Sequence, residues 1–166
     1  MDRVILLRHG EAEREAPIHD DFDRRLKPAG WRESQAVAAL LAADGVAPRL
    51  ALVSTAARAR ETWAACEPAF PAARVQYSAA LYSADAAELR RLIASVAAEG
   101  AVMVVSHNPA LQELAVAWAI ESGEVPEQIG RLQRRFPTGA AAVFAMDADR
   151  RPRLEGVYLP PPDDAA

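Results

Sequence analysis

Three short runs of the chain, Val4–Leu7, Leu50–Val53 and Ala101–Val105, are apolar at every position and show no alternation with polar residues. Strands of that kind are buried on both faces, as in a parallel sheet covered by helices. Each run is followed by a helix signal. After the first, Val37, Leu40 and Leu41 fall on one face of a segment that opens at Pro28 and stops at Gly45. After the second, Ala59, Thr62, Trp63 and Cys66 share a face ahead of Pro68. Leu89, Leu92, Ile93 and Val96 follow the i, i+3, i+4, i+7 rule, which predicts a helix from about Asp85 to Glu99, ended by Gly100. Leu111, Leu114, Ala115 and Trp118 repeat that spacing, with Asn108 as the expected N-cap and Pro109 at the first helical position. Further strands are expected at Arg74–Tyr77, Ala140–Met146 and Leu154–Leu159, the last two as an edge hairpin. The sum is a three-layer α/β/α sandwich with a mostly parallel central sheet.

With 166 residues, 51% of them hydrophobic, the chain is long enough for one core. A single domain is expected over residues 1–159, followed by a frayed Pro/Asp tail over 160–166 whose prolines lack backbone donors. The formal charge of −4 comes from interspersed acidic and basic residues, so nucleic acid is not an expected partner. The single cysteine, Cys66, allows no intrachain disulfide and fits a reduced cytoplasm. The apolar run before Arg8 is too short for a signal peptide, and no later run approaches a membrane span. A monomer is the default expectation.

Ligands of an open α/β sheet bind beyond the carboxyl ends of its strands, which makes the residues there informative. The first strand exits into Arg8-His9-Gly10, the second into Ser54-Thr55-Ala56-Ala57-Arg58, the third into Ser106-His107-Asn108-Pro109. Two arginines and two histidines would converge. An arginine fork matches two phosphate oxygens, and a pair of them can follow the charge of a phosphoryl group into its transition state. A neutral imidazole, with an ordinary pKa near 6.5, can attack phosphorus, while a second imidazole donates to a phosphoryl oxygen, best as a cation between anionic oxygens. Gly10 is expected to let backbone approach the ligand, and the helix after Asn108 to aim free N–H groups at the anion. No metal or other cofactor is required.

These segments, together with Arg58-Ala59-Arg60-Glu61-Thr62, resemble the histidine phosphatase superfamily, also called phosphoglycerate mutase-like. The short chain, Leu26-Lys27-Pro28-Ala29-Gly30 and Phe136-Pro137-Thr138-Gly139-Ala140 bring it nearest to the SixA-type phosphohistidine phosphatases. The resemblance implies the phosphoglycerate mutase-like fold, His9 as the transiently phosphorylated nucleophile, and Arg8, Arg58 and His107 as the rest of the phosphate pocket. Gly10 and Asn108 join it as substrate contacts. Larger relatives carry an acidic proton donor just before the Leu81-Tyr82 region, where this chain reads Ser78-Ala79-Ala80. An alkoxide leaves poorly without a proton, whereas a protonated nitrogen leaves easily, so a phosphoramidate such as phosphohistidine becomes the favoured substrate. Asp85, Glu11 and Glu13 are the alternative acids. The competing readings are a phosphatase for a small phosphorylated metabolite and a non-catalytic module that binds phosphoprotein.

Other residues read more plainly. His19-Asp20-Asp21 lacks further ligands for a metal and reads as a solvated loop. Cys66 reads as core, Arg60 as exposed and turned away from Arg58, and the three tryptophans, Trp31, Trp63 and Trp118, as core. Arg131-Leu132-Gln133-Arg134-Arg135 reads as a solvated face, with an acidic partner as the alternative.

Overall fold

The computed structural model describes residues 3–16 and 20–162; His19 and residues 163–166 of the expected frayed tail lie outside the described residues. Six strands form one sheet: β1 (Arg3–Arg8), β2 (Leu50–Ser54), β3 (Arg74–Ser78), β4 (Val102–Ser106), β5 (Ala141–Met146) and β6 (Pro152–Tyr158), in the order β3-β2-β4-β1-β5-β6. The first four are parallel. β5 runs antiparallel to β1 and pairs with β6 as the expected edge hairpin.

The uninterrupted apolar runs are explained by cover on both sides. Val4, Leu6, Leu50, Leu52, Val102 and Val104 face α4 (Ala86–Ser95), α5 (Ala110–Glu121) and Leu132 of α6 (Pro126–Arg134). Their neighbours Ile5, Leu7, Ala51, Val53, Met103 and Val105 face α1 (Pro28–Ala43) and α2 (Ala57–Cys66). A fully buried aliphatic side chain contributes about 1.5–3 kcal/mol, so these two layers hold the strand ends in fixed relative positions. A short helix, α3 (Ala80–Ser83), follows β3.

The structure corrects several expectations. Leu40 is 44% exposed, because the inward face of α1 is formed by Gly30, Ser34, Val37, Ala38 and Leu41. Trp31 is half-buried, whereas Trp63 and Trp118 lie in the core. The helix expected to reach Glu99 ends at Ser95 and continues as a 3-10 turn, Ala97–Glu99, before Gly100 at φ 87°. Its start is sharp, because Asp85 and Glu88 form a reciprocal capping box. Helix α5 begins at Ala110 with Pro109 at the N-cap, one residue later than expected. Asn108 does not cap it; its amide donates to the Phe136 carbonyl at 3.0 Å. Helix α6 was not foreseen, since its nine residues offer only Ile129 and Leu132 as apolar signal.

Candidate active site

Strand β4 lies between β1 and β2, so three neighbouring strands end on one side and deliver His9, His107 and the Ser54–Arg58 turn to one place. The His9 N–H donates to the Ser106 carbonyl at 3.2 Å, tying two of those ends together. The two imidazole rings stand 5.4 Å apart between centroids. Arg58 sits in the first turn of α2 and is 5% exposed. Thr62, one turn further, accepts from the Gly10 N–H at 3.0 Å and donates to the Arg58 carbonyl at 2.7 Å. That one hydroxyl joins the loop after β1 to α2.

The His9 ring has a defined tautomer. Its Nδ1 lies 2.7 Å from the Gly10 carbonyl, which can only accept, so Nδ1 carries the proton and Nε2 keeps its lone pair. Arg58 Nε donates to that Nε2 at 3.3 Å. Burial, opposed by the Gly10 hydrogen bond and helped by the charges of His107, Arg58 and Arg8, pushes His9 down to about 3. The ring is therefore neutral at pH 7, with a nucleophilic nitrogen facing an arginine.

Arg58 is held from its other edge by a residue that sequence reasoning missed. Its Nη1 donates to the Asp21 carbonyl at 2.8 Å and its Nη2 to Asp21 Oδ2 at 3.1 Å. The same Oδ2 accepts from the Tyr82 hydroxyl at 2.7 Å, while Oδ1 accepts from Arg24 at 2.8 Å. The Tyr82 bond first, then Arg24 and Arg58, holds the Asp21 carboxyl down at about 2. The Tyr82 ring also meets Phe22 and His107 edge-on, at 5.2 and 5.7 Å between centroids. Asp21 thus belongs to the rim of the pocket, and its loop is not merely solvated. No local motif signals this contact, because 37 residues separate its partners.

His107 Nε2 lies 2.7 Å from Ser54 Oγ, and Nδ1 has no partner. Burial and then Arg58 push this ring down to about 4, so without an anion it is neutral at pH 7. Arg8 donates through Nη1 to the Phe136 carbonyl at 3.0 Å, while its buried Nε lacks a partner. Among the described residues five buried side-chain nitrogen or oxygen atoms are unpartnered, and three belong to Arg8, His107 and Asn108. Such atoms are costly to bury, and their concentration here marks a place built for a polar ligand.

A Cβ on Gly10 would meet the Gly30 carbonyl oxygen at 2.4 Å, so the missing side chain serves close packing against α1. The N–H of Leu111 donates to the His107 carbonyl, so one of the first donors of α5 is taken up by the chain itself. The alternative acids are likewise engaged elsewhere or exposed: Asp85 in its capping box, Glu11 with Lys27 at 3.2 Å, and Glu13 facing solvent. Cys66 is buried and its thiol is pushed up to about 12, as a core residue. Arg60 is exposed over the Tyr77 ring, away from Arg58. Among the described residues no cluster of three His, Cys, Asp or Glu side chains could hold a metal ion, and no helix is long and apolar enough to cross a membrane.

Known proteins resemble this chain over most of its length. Residues 4–87 match the histidine phosphatase superfamily, branch 1. An uncharacterized protein of Mycobacterium tuberculosis is 35% identical over 150 residues, covering 84% of this chain and 91% of its own. A structure from Agrobacterium tumefaciens, provisionally named phosphohistidine phosphatase SixA, superposes with a TM-score of 0.84 at 35% identity, covering 96% of this chain and 98% of that one. A second with the same provisional name, from Nakamurella multipartitia, gives 0.80 at 29% identity, covering 96% of each chain. The chain belongs to the histidine phosphatase superfamily, and it is a phosphatase.

Proposed function

We propose that the protein removes the phosphoryl group from phosphohistidine in a protein, using His9 as nucleophile. His9 Nε2 forms a bond to phosphorus as the P–N bond of the substrate breaks, and the protonated substrate imidazole departs neutral. Water then attacks phosphorus, the Nε2–P bond breaks, and phosphate leaves. Arg8 and Arg58 neutralise the phosphoryl oxygens throughout. A bound dianion raises the affinity of His107 for a proton, so this ring becomes a donor to the phosphoryl group only when substrate is present. Asp21 positions Arg58: by holding Nη1 and Nη2 it turns the Nε edge toward His9. The proposal carries with it a cytoplasmic setting, a monomer and no metal requirement.

The observation that carries the choice of substrate is the state of the carboxyl at the pocket rim. Asp21 is held ionised and accepts three hydrogen bonds through its side chain, so it has no proton to give to an alkoxide. Phosphohistidine needs no such donor, and the provisional SixA name of the Agrobacterium protein points to the same substrate. Phosphate release should be followed with a histidine-phosphorylated protein and with a panel of phosphate monoesters, without added metal. Selective release from phosphohistidine is expected; preferential ester cleavage would overturn the substrate assignment and direct attention to a small metabolite.

A further inference from the structure

A second feature on the same molecule has the makings of a docking surface. A groove of about 570 Å3 runs between α6 and the end of β6, lined by Arg131, Leu132, Arg134, Arg135, Val157 and Leu159 among others. Its floor is apolar, with Leu132 anchored in the core at 2% exposed and Leu159 open to solvent at 42% exposed. Its rim is cationic. Arg131 is shared with Glu127 of the same helix at 2.8 Å, but Arg134 and Arg135 have no ion pair among the described residues. Three guanidinium groups within five residues stand out in a chain whose net charge is −4.

The groove is connected to the pocket through one stretch of backbone. Phe136 follows Arg135 directly, and its carbonyl accepts from both Arg8 Nη1 and Asn108 Nδ2 at 3.0 Å. Gln112 of α5 donates to the carbonyls of Leu132 and Gln133 at 2.9 and 3.1 Å, fixing the end of α6 against the helix that follows β4. A partner seated on the Arg134-Arg135 rim therefore lies beside the wall of the phosphate pocket.

We propose that this groove docks an acidic segment of the phosphorylated protein, with at least one large apolar side chain lying on Leu132, Val157 and Leu159. The proposal rests on the phosphohistidine reading. Unpaired arginines over an apolar floor match a segment that carries both acidic and apolar residues, and complementary charge chiefly governs encounter and partner choice. It follows that docking acts on KM for protein substrates and leaves the chemistry at His9 unchanged.

The test uses two synthetic phosphohistidine peptides, one flanked by Glu and Leu residues and one by Lys, together with phosphoramidate, on the wild type and an Arg134→Glu/Arg135→Glu variant. Each rim pair is individually weak, but two together should give the wild type about a tenfold preference for the acidic peptide. That preference should shrink with added salt and be lost or reversed in the variant, with phosphoramidate turnover unchanged. Leu159→Ser should weaken use of the acidic peptide by a smaller factor. Equal use of the two peptides by the wild type, or an unchanged preference in the variant, would overturn the docking surface while leaving the phosphohistidine reading intact. A parallel loss on phosphoramidate would show pocket distortion through Phe136 and overturn it as well. Turnover of monoesters but of neither peptide would remove both proposals together.

Discussion

The candidate active site and the α6 groove both contain arginine, and they hold it in opposite ways. Arg58 is 5% exposed, with named partners on both edges of its guanidinium. Arg134 and Arg135 are exposed and carry no ion pair among the described residues. A group that must follow charge through a transition state has to be fixed beforehand, in a place where water cannot screen it. A group that only attracts a partner works from the surface, where its orientation is free and its effect falls with salt. On the proposed reading the same side chain is a catalytic instrument in one place and a steering charge in the other.

The comparison can be broken most severely at the pocket. His9→Ala should lower turnover of phosphoramidate and of phosphohistidine alike by about 10³-fold or more. Arg58→Ala should cost about 10²–10³-fold, the scale of losing one charge-stabilising donor. Stopped-time phosphate release would measure both, and a variant affecting only the protein substrate would place its residue on the docking side of the comparison. Asp21→Ala should cost about tenfold to a hundredfold on both substrates, as misplacement of one group does. Because the Asp21 charge favours protonation of His107, its loss should also lower the pH at which His107 titrates, read from imidazole NMR signals. An unchanged His107 titration and unchanged rate would remove Asp21 from the machinery.

Smaller effects concern the frame. A Cβ on Gly30 would stand 2.2 Å from the Glu11 carbonyl oxygen, so Gly30→Ala should lower unfolding free energy by about 1–3 kcal/mol, visible as a shifted urea midpoint. An unchanged midpoint would mean that the loop after β1 yields easily, contrary to a fixed pocket. The histidines give a pH dependence of defined sign. An ordinary histidine protonates near 6.5, whereas folded His9 and His107 do so only near 3 and 4. Across that interval the unfolded chain binds more protons than the folded one. Stability should therefore be full above pH 6.5 and fall progressively as pH drops through 4 and 3. Chemical denaturation at pH 7, 5.5 and 4.5 would measure it, and constant stability over that series would contradict the depressed titrations.

Much of this organisation was legible in the chain because it rests on uninterrupted patterns. The runs Val4–Leu7 and Leu50–Val53 are apolar throughout, since both sheet faces are covered, and the polar residues that follow them stand out against that background. His9, Arg58 and His107 could be placed at strand ends for that reason. Asp21 and Tyr82 could not, because their meeting depends on a loop of one segment and a short helix of another, 61 residues apart. The tautomer of His9 depends on a carbonyl of the next residue turning back, which no residue type dictates. Gly10 was visible but its reason was not, since the clash it avoids is with Gly30, on a different element. Helix α6 was hidden by its own composition: Arg131, Arg134 and Arg135 read as a solvated face, and only the fold places Val157 and Leu159 beside them.

The central claim is that the phosphoryl group passes through Nε2 of His9. The most direct measurement is to mix the enzyme with labelled phosphohistidine peptide, quench within milliseconds, and locate the label by mass spectrometry and phosphorus NMR. The account predicts phosphate on His9 at Nε2, formed and lost fast enough to carry turnover, and absent from His9→Ala. Label on another residue or on Nδ1, or undiminished turnover in His9→Ala, would contradict it.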